Sequence, residues 1–414
     1  MKRRTFITTA AAAVTAASIS SPLYARSNAN IVILGAGSGG LGLANRLRRS
    51  TNARITLIDG RIEHWYQPGL TLVAAHLAGE NYPVTKTRDW ISPGIDIIES
   101  YATEIDAANN VVKIGHMSVH YDYLVVAPGI KLRWDLVEGF DLDRIGPETG
   151  TAAVYAGPKH AAISARAMEK FNKEGGEAFF FRSGTALKCA GAPIKYTFLT
   201  HDKMEAEASI NYFGHNGGLF GVPVYAEVVR NLMENKGINY DYNHVLKSID
   251  MDARKLTFNT DKGERTYDYD FTNVVPPQMA SDVIRLGSDL STHEHGWIDC
   301  DMYTLRSKHY NNVWALGDCA GVPKGKTAAS VKWQIPVVED QLVSEIGTKK
   351  YNGYTSCPMI TEVGKAILVE FDYNNNVVPS FPGIISSYEP MNATWLIKKK
   401  LLKPTYYAML EGKA

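Results

Sequence analysis

Cysteine is scarce in this chain: Cys189, Cys300, Cys319 and Cys357 are the only four in 414 residues, and no two form a C-x-x-C pair. That scarcity argues against a disulfide-built scaffold and against a structural zinc site. The histidines are scattered, and His116 and His120 read as strand and turn, so no metal site is expected. Excess charge of either sign is also missing, since 44 Lys and Arg stand against 43 Asp and Glu for a net charge of +1. No bulk attraction to nucleic acid follows, and any charge-driven function must be local. Low-complexity tracts are absent too.

What remains is the composition of a soluble α/β protein of two or three domains, 45% hydrophobic with 35 glycines. The first 25 residues hold a basic start, a mild alanine- and threonine-rich stretch and the small residue Ala25, the pattern of an export signal. Arg3-Arg4-Thr5-Phe6-Ile7 resembles a twin-arginine signal, which exports folded proteins and suits one loaded with cofactor beforehand. The apolar run is short against the ~20 residues that span a bilayer, which disfavours an uncleaved anchor.

Ile31-Val32-Ile33-Leu34 is an apolar strand that runs into Gly35, Gly37 and Gly40, spaced as G-x-G-x-x-G. A helical segment over 41–49 follows, then the strand Arg54-Ile55-Thr56-Leu57-Ile58 and an acid, Asp59. The first glycine permits the tight turn, the second admits a pyrophosphate and the third allows close helix packing, while the helix N-terminus supplies N–H groups and a positive dipole. Asp59 stands where it can accept from ribose hydroxyls. Two later segments, Tyr121-Asp122-Tyr123-Leu124-Val125-Val126-Ala127-Pro128-Gly129 and Asn312-Val313-Trp314-Ala315-Leu316-Gly317-Asp318, resemble those of two-dinucleotide-binding flavoproteins. That resemblance implies FAD at the first site, with Asp318 on its ribityl chain.

The expected fold is α/β with two Rossmann-like dinucleotide-binding domains, glutathione reductase-like, and a C-terminal extension. The FAD domain is assigned to residues 28–155 and 270–345, the inserted second domain to 156–269, and the extension to 346–414. A second glycine fingerprint is missing. After the strand-like Glu177-Ala178-Phe179-Phe180-Phe181 the chain reads S-G-T-A-L-K-C-A-G-A-P, which cannot reproduce that spacing, so a pyridine nucleotide is a poor electron donor here. Cys189 occupies this loop, and Cys357 lies far off in Tyr354-Thr355-Ser356-Cys357-Pro358. Two cysteines meeting beside a flavin can pass it two electrons or receive a sulfur nucleophile. Spacing alone does not show that their Cα atoms come within the ~7 Å a bridge needs, and two buried structural cysteines remain the other reading.

K-C-A-G-A-P-I-K around Cys189, Y-T-S-C-P around Cys357, Val274-Val275-Pro276-Pro277 and His64-Trp65-Tyr66-Gln67-Pro68-Gly69 resemble the sulfide:quinone oxidoreductases, in particular the type that includes the mitochondrial enzymes. The resemblance runs along nearly all of the mature chain. It implies that sulfide attacks a Cys189/Cys357 bridge, that a persulfide forms on Cys357, and that a sulfane-sulfur acceptor or another sulfide removes the sulfur. Electrons then pass through FAD to a quinone. It also implies that Gly35, Gly37, Gly40, Asp59 and Asp318 hold FAD, with Lys326 and Thr327 near the flavin or quinone end. Cys300 and Cys319 are expected to be packing residues. The lysine-, leucine- and tryptophan-containing segment 392–404 reads as a membrane-interface stretch with its lysines near anionic headgroups, interrupted at Pro404. A helix closing over the flavin domain is its alternative. The expected location is periplasmic, peripheral to the membrane. Two competing readings are the flavoprotein subunit of a flavocytochrome c sulfide dehydrogenase, which passes electrons to haem, and a non-catalytic flavin-bearing sulfur-binding module. A type II NADH dehydrogenase is disfavoured by the missing second glycine loop.

Overall fold

The computed structural model describes residues 28–344 and 347–414, so the expected export signal lies outside the described residues. Five parallel strands make the first sheet, in the order Val313–Ala315, Tyr123–Val126, Asn30–Leu34, Arg54–Ile58 and Ile95–Ile98. Their near-continuous Val, Ile and Leu content follows from burial on both faces. Ile31 pairs with Ile55 on one side and with Tyr123 on the other, so the Asn30–Leu34 strand lies at the centre. Its C-terminal end delivers the glycine loop to the helix Ser38–Ser50.

A second parallel sheet has the order Thr151–Ala152, Phe271–Asn273, Gly176–Phe181, Ala208–Phe213 and Asn239–Asp241. The two-domain Rossmann-like plan is therefore present. The second sheet takes one strand from each flank of residues 156–269, so it reaches beyond that range at both ends. After the Gly176–Phe181 strand comes the cysteine loop and then the helix Ala192–Asp202. His116 and His120 fall in the turn and second strand of the hairpin Val111–Ile114 with Met117–His120, as the spacing suggests.

The C-terminal extension does two jobs. Its hairpin, Thr355–Glu362 with Lys365–Phe371, packs Met359, Ile360, Ile367 and Val369 into the same core as Ile194 and Phe198 of the Ala192–Asp202 helix. The terminal helical segment then returns to the first domain. There the carbonyl of Met409 lies 2.9 Å from where a Cβ on Gly42 would sit, and the Asn45 amide donates to Leu410 O at 2.7 Å and Trp90 O at 2.6 Å. Pro404 does not interrupt this segment. Helical turns run without a break from Asn392 to Leu410, and the π-helical turn Ile397–Leu401 directly before Pro404 is where the regular ladder is already relaxed.

Asn45 is 1% exposed and also accepts from Ser92 N at 3.0 Å. Asn45→Ala orphans buried groups on two neighbouring segments, at roughly 1–3 kcal/mol per group. We expect a loss of about 3 kcal/mol in guanidinium unfolding of the flavin-loaded protein, and an unchanged midpoint would refute this docking account.

Candidate functional site

A cavity of about 840 Å³ runs from the glycine loop, past Asp318 and Lys326, to Cys189 and Cys357, and opens at Trp333 and Phe381. At the glycine loop the three glycines behave as the fingerprint requires. A Cβ on Gly40 would fall 1.8 Å from Gly35 O, and one on Gly35, at φ 102°, would fall 2.4 Å from Ala127 O. Around Gly37 the nearest such atom is Arg61 Nη2 at 3.6 Å, which leaves the approach a pyrophosphate needs.

Asp59 is already engaged by donors of the protein itself. Its carboxylate accepts from Ala36 N at 2.6 Å, from Arg61 N at 2.9 Å, and from the Arg61 guanidinium at 3.0 and 2.6 Å. Burial opposes ionisation, yet these donors hold its carboxyl below the usual range. Four donors use the capacity of two carboxylate oxygens, so a ribose hydroxyl would have to displace one. Asp59 thus braces the glycine loop, and Arg61, which sequence reasoning passed over, stands at the cavity wall. His64 and Tyr406 close the same end, Nε2 to Oη 2.7 Å; burial, aided by Arg61, lowers His64 to about 4 and keeps it neutral.

Midway along the cavity, the Asp318 carboxylate takes no hydrogen bond among the described residues. Burial raises its pKa against the pull of Lys326 and Lys188. It is available to a ligand's hydroxyls. Lys326 donates to Asp318 O at 2.5 Å and Ala320 O at 3.1 Å, with its ammonium 3.8 Å above the Trp297 ring, and burial lowers its pKa. It is no solvated loop lysine. Thr327 caps the helix Ala328–Val343 by accepting from Ser330 N at 3.1 Å, which aims that helix's positive end into the cavity. The glycine cradle, the free carboxylate and this helix end fit a flavin dinucleotide.

The two cysteines meet. Cys189 Sγ lies 3.8 Å from Cys357 Sγ, and Lys195 Nζ lies 3.4 Å from Cys189 Sγ. The approach relies on Gly191, where a Cβ would fall 2.9 Å from Cys357 Sγ. Cys189 itself adopts φ 47°, a left-handed conformation that costs a non-glycine residue roughly 1–3 kcal/mol. Surrounding bonds enforce it: Cys189 N donates to Lys326 O at 2.8 Å, and the Tyr155 hydroxyl donates to Lys188 O at 3.2 Å and Cys189 O at 3.1 Å.

The pair is electrostatically unequal. The Cys357 thiol donating to Cys189, and then the Lys195 ammonium, outweigh burial and push Cys189 well below the usual thiol range. Donation to Cys189 and burial push Cys357 well above it. Burial tends to discharge Lys195, but the two sulfurs more than offset this and raise it. Lys398, 2% exposed, is lowered by burial and Lys195 to about 7. Cys300 and Cys319 are buried packing residues, raised by burial to about 11 and about 12.

The lysines of segment 392–404 do not reach outward as a headgroup-binding set. Lys398 donates to Pro68 O at 2.7 Å, Lys399 to Leu77 O at 2.5 Å, and Lys403 to Tyr82 O. Lys400 is the exposed one. This segment closes over the first domain, and no helix among the described residues is long and apolar enough to cross a membrane.

A flavin-dinucleotide cradle joined to a paired-cysteine centre defines a disulfide-reductase-type flavoprotein, and the chain matches the pyridine nucleotide-disulphide oxidoreductase family model over residues 29–154 and 223–332, more than half its length. The gap spans the cysteine loop. Within that class the chain belongs to the sulfide:quinone oxidoreductase family. It is 32% identical to the mitochondrial sulfide:quinone oxidoreductase of Dictyostelium discoideum over 92% of this chain and 86% of that one. It is 30% identical to the Mus musculus protein of the same name over 93% and 87%. The solved sulfide:quinone oxidoreductase of Aquifex aeolicus superposes with a TM-score of 0.75 at 18% identity, covering 93% of this chain and 92% of that one.

Lys195→Met removes the cation beside Cys189. Because the wild-type thiolate form is favoured, alkylation of the reduced protein by iodoacetamide should persist at pH values where ordinary thiols are protonated. In the variant the pH midpoint for Cys189, followed by peptide mapping, should rise by about 1 unit or more. A midpoint unmoved by the substitution would sink the assignment.

Proposed function

We propose that the protein oxidises sulfide to sulfane sulfur at Cys189 and Cys357 and passes the electrons through FAD to a quinone. The observation that carries this reading is the 3.8 Å approach of two unequal sulfurs at the wall of the flavin-sized cavity. In the oxidised enzyme the two sulfurs are bridged, and the better leaving group is the thiol of lower pKa. Hydrosulfide therefore attacks Cys357 Sγ: the bridge breaks, Cys357 becomes a persulfide, and the electron pair of the broken bond stays on Cys189 as a thiolate. Lys195 holds that thiolate at 3.4 Å. Lys398, charged below about pH 7, adds positive potential that draws hydrosulfide in. A sulfane-sulfur acceptor or a second sulfide then takes the outer sulfur from Cys357. FAD, when bound, supplies the two-electron acceptor between this centre and the quinone, with Gly35, Gly37, Gly40 and Asp318 holding it.

The quinone reading rests on the cavity mouth. Trp333 and Phe381 stand there 55% and 43% exposed, and Ile384 is 76% and Leu396 57% exposed in the C-terminal extension. Exposed large apolar side chains beside an apolar cavity suit a lipid-dissolved substrate and attachment to a membrane surface. With the export signal read from the sequence, this favours a periplasmic protein peripheral to the membrane.

Anaerobic sulfide titration of the FAD-loaded protein should bleach the flavin band, and a short-chain quinone should restore it. Cys189→Ser and Cys357→Ser should each abolish bleaching. Absence of bleaching in the wild type would end the cysteine reading; reoxidation by a c-type cytochrome and not by quinone would move the protein to the haem-linked class. In the double variant Ile384→Glu/Leu396→Glu, sedimentation with anionic vesicles should fall by about tenfold or more while sulfide bleaching is preserved. Undiminished sedimentation would remove these side chains from the membrane contact.

A further inference from the structure

At the C-terminal edge of the second parallel sheet, buried polar side-chain atoms are left without partners. In open α/β sheets ligand crevices lie beyond the C-terminal ends of the strands, where neighbouring connections depart in opposite directions. The Gly176–Phe181 strand lies between Phe271–Asn273 and Ala208–Phe213, and the cysteine loop leaves from its C-terminal end. The next residue is Arg182. It is 7% exposed, its N–H donates to Phe213 O at 3.3 Å, and its guanidinium has no ion pair among the described residues. Buried Nε has no hydrogen-bond partner. A donor N–H held away from water with no acceptor costs free energy that a bound acceptor would offset.

Two further polar atoms without partners accompany it. The Tyr212 hydroxyl is on the adjacent strand, whose next residue, Phe213, is paired with Phe181. His215 Nδ1, two residues past that strand's end, is also buried and unpartnered. Burial and then Arg182 lower His215 to about 4, which places the imidazole in the field of the guanidinium and leaves it neutral, able to donate one N–H. Beyond His215, Asn216 and Gly217 are exposed, so the group lies close beneath the surface. None of the three unpartnered residues lines the flavin cavity.

We propose that Arg182, His215 and Tyr212 form a binding site for a small oxyanion at the C-terminal edge of the second sheet. The first domain meets a phosphate with backbone N–H groups presented by glycines. The second has lost that loop, and side-chain donors take over recognition of the negative charge. Arg182 begins the loop that carries Cys189 seven residues later, so the anion sits at the root of the segment bearing the redox sulfur.

The test uses oxidised, FAD-loaded protein without sulfide, so it is independent of the redox reading. Titration calorimetry with sodium sulfate, against sodium chloride at matched ionic strength, should show one saturable site. Arg182→Leu should weaken it by about tenfold or more, Arg182→Lys should retain part of the affinity, and His215→Gln should weaken it less than Arg182→Leu. Flavin content reports whether each variant folds; if Arg182→Leu does not load flavin, Arg182→Lys and His215→Gln decide the matter. The proposal is overturned if the wild type shows no saturable sulfate binding, or if every folded variant binds as tightly as the wild type.

Discussion

Two sulfur atoms 168 residues apart in sequence approach to 3.8 Å, and the chemistry of the site depends on that approach. It is made by ordinary packing: the C-terminal hairpin shares a core with the Ala192–Asp202 helix, and Gly191 leaves the space that Cys357 Sγ enters. Were the hairpin displaced, Cys357 would be one more buried thiol of raised pKa, as Cys300 and Cys319 are. Proximity to Cys189 and Lys195 makes two similar residues electrostatically unequal, which in the proposed reaction separates leaving group from point of attack.

The charge distribution repeats the theme. A chain with a net charge of +1 gathers Lys188, Lys195, Lys326 and Lys398 around a single cavity. Burial lowers Lys188 to about 8 and Lys398 to about 7, while Lys195 stays charged because it faces the sulfurs. Which lysines carry charge near neutral pH is thus set by what each one faces, and overall composition could not reveal it.

The first sheet and its phosphate loop were legible because their signals are local: apolar runs, three glycines at fixed spacing, an acid at the end of the next strand. The short strands Thr151–Ala152 and Phe271–Asn273 carry too little pattern to assign to either domain, and they blurred the boundaries. Asp59 was found at the right place, but its partner, Arg61, decides what its oxygens do. Segment 392–404 shows the limit most clearly. Lysines clustered among apolar residues read alike whether they face headgroups or reach backbone carbonyls of a neighbouring domain, and only packing separates the two. The left-handed backbone at Cys189 had no sequence signal, since nothing but its fastening to Lys326 and Tyr155 makes it tolerable.

The docking of the helix Leu402–Leu410 onto the phosphate-loop helix carries a consequence for cofactor retention. Asn45 binds the carbonyl of Leu410, and Tyr406 meets His64 at the cavity wall. Leu402, Thr405, Tyr406 and Met409 all line the cavity, so one wall of the cofactor cradle is supplied by a segment far in sequence from the glycine loop. A variant lacking Leu402–Leu410 would keep every glycine of that loop and both paired cysteines, yet leave its cofactor chamber open.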